Sequence, residues 1–158
     1  MFRFMHAADI HLDSPLKGIE AYPDAPVEQI RGAVRRAFDN LVSLAIDEEV
    51  AFLLLAGDLF DGDWKDYNTG IYFMSRLGRL REAGIKVFMI SGNHDAASQI
   101  TRALHLPDNV TLFSHKKPET IILDDLDVAI HGQSYSSRAI SDDLTRKYPQ
   151  REDGLFSC

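Results

Sequence analysis

Asp9-Ile10-His11, Gly57-Asp58 and Gly92-Asn93-His94-Asp95 are short polar clusters, each set directly behind an apolar run. Together they offer carboxylates, imidazoles and a carboxamide. Oxygen and imidazole donors in that mixture suit divalent metals such as manganese, iron or zinc. One carboxylate has two oxygens and can bridge two cations. A cation pair about 3.5–4 Å apart can clamp a phosphate, activate a water and stabilise a leaving oxygen. Asp9 and His11 are separated by one residue, a spacing that puts both side chains on one face of an extended strand. Metal-dependent hydrolysis is the chemistry these residue types and spacings predict.

Such groups act together only if the fold brings them together. The runs Phe2–Ala8, Val50–Ala56 and Lys86–Ser91 predict strands that end at the three clusters. Between the first two, Val27, Ile30, Val34, Phe38, Leu41 and Ala45 recur at helical steps, predicting an amphipathic helix to about Glu49. Asp24 is its expected cap and Pro26 falls in its first turn. A second helix is expected from Asp66 to Ala83, with Tyr67, Ile71, Met74, Leu77 and Leu80 inward and Gly84 ending it. Strand–helix alternation implies an α/β fold with a parallel sheet. In such sheets ligands bind outside the carboxyl ends of the strands, where the three clusters lie. Further on, Ala96–Leu104 and Ser137–Tyr148 read as helices and Val110–Phe113 as a strand. Glu119–Leu123 and Asp127–His131 read as a hairpin around Asp124-Asp125.

The chain has 158 residues, is 45% hydrophobic and carries a formal net charge of -7. That length fits one domain and that composition a packed core. No apolar run approaches the ~20 residues of a membrane span, and the N-terminus has no signal-peptide pattern. Cys158 is the only cysteine, so a reducing cytoplasm is the expected setting. A nucleic-acid binder usually shows a basic stripe, which this chain lacks. Two bound divalent cations would offset more than half of its charge, so the balance neither supports nor excludes DNA as substrate.

The order Asp-x-His, Gly-Asp, Gly-Asn-His-Asp resembles the calcineurin-like metallophosphoesterases. The stretches Ala8-Asp9-Ile10-His11-Leu12-Asp13-Ser14-Pro15-Leu16 and Gly57-Asp58-Leu59-Phe60-Asp61 are similar to the SbcD-type and YhaO-like DNA-repair nucleases within them. The resemblance implies two divalent ions, manganese foremost, with iron(II) or zinc as substitutes. It assigns Asp9 and His11 to the first metal, Asp58 to both and Asn93 to the second. It makes His94 no ligand but a general acid or phosphate stabiliser facing the substrate. An imidazole with a pKa of about 6.5 can donate a proton to a leaving alkoxide. It also implies DNA as substrate and a coiled-coil ATPase of the SbcC type as partner.

Blander duties are expected of other residues. Asp95 is read as capping the following helix or orienting His94, and Asp13 and Asp61 as turn or outer-support residues. His6 is read as a core histidine, His105 and His115 as exposed, and His131 as mainly structural. Arg31 and Arg35, like Arg76, Arg79 and Arg81, read as solvated helix faces.

The family pattern continues with an isolated His and a Gly-His-x-His segment, and neither occurs in this chain. Residues 1–158 are thus expected to form the N-terminal part of an αββα sandwich whose second sheet is incomplete. An uncovered sheet edge of that kind favours self-association into a homo-oligomer. The expected function is phosphodiester hydrolysis by a DNA-repair exonuclease, with metal sites partly filled or empty and little activity in this chain. The alternatives are a phosphomonoesterase or nucleotide-cleaving enzyme, and a non-catalytic fragment that binds a partner.

Overall fold

The structure, a computed structural model, describes residues 1–14, 26–61, 67–97, 105–150 and 154–158. Four strands, β1 (Phe4–Ala7), β2 (Phe52–Ala56), β3 (Lys86–Ile90) and β4 (Val110–Leu112), form one sheet in that order. All its pairings are parallel. Helices α1 (Val27–Asp47) and α2 (Tyr67–Glu82) make the first two crossovers. A smaller sheet pairs β5 (Glu119–Leu123) antiparallel with β6 (Val128–Gly132), and β6 parallel with β7 (Phe156–Ser157).

Register decides which residues face which layer, because strand side chains alternate. The row Met5, Leu53, Val87, Val110 and the row Ala7, Leu55, Met89, Leu112 pack into the core under the helices. Phe52, Leu54 and Phe88 point the other way and join Phe113, Leu123, Val128 and Ile130 from the small sheet. The described layers are therefore helices, parallel sheet and small sheet. Phe38, Phe52, Phe60 and Phe73 are fully buried, and each such side chain contributes about 1.5–3 kcal/mol.

Some expectations need correction. The buried stripe of α2 is Thr69, Phe73, Leu77 and Leu80, whereas Tyr67 and Ile71 are exposed. The sheet claims the face one step round from the one the apolar count favoured. Residues 137–148 hold only a short 3-10 turn at Leu144–Lys147, since few apolar positions there have a core to meet. His6 is exposed rather than a core residue. Arg35 and Arg76 are half-buried and ion-paired rather than solvated. Asp24 and most of the helix expected at Ala96–Leu104 lie outside the described residues. Pro26 stands at the start of α1 with no side-chain cap. Gly84, at φ 74°, ends α2 as expected. Among the described residues no helix is long and apolar enough to cross a membrane.

Candidate metal centre

β1 stops at Ala7, before the first polar cluster. Asp9 and His11 are therefore not on an extended strand, and the face-sharing argument is corrected. Both have left-handed backbone, φ 54° and 47°, as does Asp58 at 52°. Aspartate tolerates this region better than most residues. The loop after β1 is held beside the loop after β2 by three amides. Asp9 N donates to Gly57 O at 3.2 Å, His11 N to Asp58 O at 3.0 Å and Leu12 N to Leu59 O at 2.8 Å. Leu12, Leu59 and Phe60 are buried beneath them. Together these hold one ligand atom from each of Asp9, His11 and Asp58 within 4.8 Å of one another.

The loop after β3 docks on the same place. His94 N donates to Asp58 Oδ1 at 3.0 Å. Gly57, at φ 87°, has no room for a β-carbon, which would meet Gly92 backbone at 2.8 Å. What lies against Gly92 is Asp58. Asn93 sits in the turn between Gly92 and His94, half-buried, on the segment tied to Asp58.

Asp61 supports two imidazoles. Its Oδ1 lies 3.0 Å from His11 Nδ1 and 3.1 Å from His94 Nδ1. The two rings stand nearly perpendicular, centroids 5.2 Å apart. Burial opposes charge on Asp61, but hydrogen bonds from Ser14 and His11 and the nearby imidazoles outweigh it. Its carboxyl is held below the usual range. With Nδ1 donating to Asp61, the lone pair of His11 falls on Nε2, free to ligate. Asp61, His11 and His94 could also surround an ion. Their 3.0–3.1 Å spacings are already those of carboxylate–imidazole hydrogen bonds, so we read that trio as support. The pairing of Asp61 with both imidazoles is a tertiary contact that the local sequence does not announce.

Asp95 does not reach toward His94. The residue is 2% exposed, and its carboxylate accepts from Leu59 N, Phe60 N and Gly92 N at 3.1, 2.8 and 3.0 Å. It clamps the loops after β2 and β3 together. Burial pushes its pKa up against the pull of those three amides. Asp13 is buried. It takes Arg35 Nε at 2.8 Å and Thr69 Oγ1 at 2.5 Å, and pairs with Arg35 Nη2. It ties the His11 loop to both helices. His105 and His115 are exposed as expected, and His131 Nδ1 pairs with Thr120 Oγ1 at 2.8 Å.

The donor set fits a divalent cation. Two carboxylates and an imidazole converge, and like charges so close call for a cation between them. This chain belongs to the calcineurin-like phosphoesterase family, whose profile matches residues 2–155. It is 35% identical to the metallophosphoesterase YhaO of Bacillus subtilis over 97% of this chain and 38% of YhaO. It is 31% identical to the DNA double-strand break repair protein Mre11 of Archaeoglobus fulgidus, over 71% of this chain and 24% of that protein. With the Mre11 of Methanosarcina mazei the identity is 33%, over 82% and 19%. The chain thus spans well under half the length of these relatives. The family is one of hydrolases that use divalent metal ions.

Proposed function

We propose that this chain supplies the leading part of a manganese-dependent phosphodiesterase, an exonuclease acting on DNA ends. The convergence of Asp9, His11 and Asp58 on one point carries the reading. The DNA assignment is supported by similarity to proteins named for DNA double-strand break repair.

Asp9, His11 and Asp58 would hold the first ion; Asp58 and Asn93 would hold the second. Bound there, the ions supply Lewis-acid polarisation of the ester and lower the pKa of water. Asp61 orients both rings through Nδ1. His94 then gives a proton from Nε2 to the leaving alkoxide. Asp95 keeps the loops in register while this happens.

Near-octahedral ions need more ligands than these side chains provide, so this chain by itself holds metal weakly and turns over little. A coiled-coil ATPase of the SbcC type is the proposed partner, and an uncovered edge of the small sheet is the proposed route to self-association. A cytoplasmic setting accords with a single cysteine.

The test uses the longest natural polypeptide that carries this sequence. With manganese, it should cleave bis(p-nitrophenyl) phosphate and release nucleotides from DNA ends. Cleavage of monoesters only, or cleavage indifferent to chelators, would refute the proposal.

A further inference from the structure

A second cavity opens one residue from His94. Asp95 and Ala96 border it, along with Ser91 at the end of β3, Phe113 and His115 after β4, and Tyr135 after β6. Its volume is about 590 Å³, within the ~300–1,000 Å³ of small-molecule sites. It lies on the same rim as the metal centre, because Ser91 and Tyr135 follow strands that end there. The rim is knitted together: Tyr135 N donates to Ser91 O at 2.8 Å, and Ser91 N to Ser134 Oγ at 3.0 Å.

The lining decides what can enter. It contains no Lys or Arg among the described residues. A second phosphate would find no cation there. The lining instead includes the apolar residues Leu112 and Phe113, the hydroxyl-bearing Ser114 and Ser136, and the aromatic Tyr135. Tyr135 is 37% exposed, so a planar ligand can lie on it.

We propose that this pocket is a nucleoside subsite, which takes the base and sugar adjoining the phosphate at the metal centre, with the base stacked on Tyr135. Aromatic stacking suits this because every base has a π-face. The subsite deepens the phosphodiesterase reading and rests on it for the position of the phosphate. It predicts that the enzyme prefers nucleoside-bearing esters to simple aryl ones.

The test needs no metal. The chain is titrated with adenosine, with ribose 5-phosphate and with the dinucleotide d(ApA), while NMR follows the Tyr135 ring and the amides of Ser114 and His115. Adenosine should shift these signals, and ribose 5-phosphate should not. Tyr135→Ala should weaken adenosine binding at least about fivefold, the low end for one base–aromatic stack, while Tyr135→Phe retains it. Tighter binding of d(ApA) would assign the pocket to a strand end; equal binding would assign it to a free nucleotide. No adenosine-induced shift, or an unchanged affinity in Tyr135→Ala, would overturn the subsite. Failure of the phosphodiesterase reading would show separately, as absence of manganese-dependent hydrolysis while adenosine still binds.

Discussion

Gly92 lies flat against the Asp58 carboxylate: a β-carbon on Gly92 would sit 2.1 Å from Asp58 Oδ1 and 2.6 Å from its amide nitrogen. The missing side chain lets the two loops share one spot. Gly92→Ala must push Asp58 aside, and overpacking of this kind costs about 1–3 kcal/mol. Thermal denaturation should show a fall of roughly 4–8 °C for a cost of about 2 kcal/mol at this chain length. Manganese affinity should fall with it. An alanine variant with native stability and native metal binding would show that the close packing is not needed.

Asp61 and His94 should separate metal binding from catalysis. Asp61→Ala removes the support from both imidazoles, and loss of such outer partners typically lowers metal affinity about 10–100-fold. His94→Ala leaves Asp9, His11 and Asp58 in place. It should spare metal binding and cut turnover by about 10²–10⁴-fold, the usual worth of general acid–base help. Calorimetric titration with manganese, paired with a chromogenic diester assay, reads both. A collapse of metal affinity in His94→Ala would make His94 a ligand.

Arg35→Ala tests the tether between the helices and the His11 loop. It removes the ion-pair partner of the buried Asp13 carboxylate, while Thr69 Oγ1 stays at 2.5 Å. Removing one partner of a buried pair costs about 3–5 kcal/mol. Arg35 is 37% exposed, so we expect about 2–4 kcal/mol on that scale. Urea denaturation measures it, and a change below about 0.5 kcal/mol, the range of ordinary surface substitutions, would rule the tether out.

Much of this architecture is legible in the chain. Strand–helix alternation gives the parallel sheet, and the strand ends mark the polar clusters. What the sequence hides is set by tertiary contacts. Nothing local says that Asp13 will meet Arg35 and Thr69, 22 and 56 residues away. Period counting on α2 favours Tyr67 and Ile71, yet the sheet buries Thr69 and Phe73. Left-handed backbone at Asp9 and His11 is invisible to strand alternation, so the two side chains meet through loop geometry and not through a shared strand face.

Tyr72 reports on the packing of α1 against α2. Its hydroxyl bonds Asp39 Oδ1 at 2.9 Å and Arg35 O at 2.8 Å. Arg35 and Arg76 lie over its ring, 4.7 and 4.2 Å from the centroid. Burial, then the Asp39 hydrogen bond and charge, push its pKa up to about 12. A raised phenol pKa favours the neutral form in the folded state. Its contribution is therefore fully present below pH 10 and is lost as pH rises from there toward 12. Ultraviolet titration should find a tyrosine ionising near that upper value, absent in Tyr72→Phe. If Tyr72→Phe leaves the curve unchanged above pH 11, the phenol is not held as described.

The account stands or falls on whether Asp9, His11 and Asp58 hold a cation. Crystals of this chain soaked in manganese, with anomalous differences recorded, give the most direct answer. The expected result is one partly occupied peak within ligand distance of all three side chains, absent in Asp58→Ala. A peak placed elsewhere, or an undiminished peak in Asp58→Ala, would contradict it.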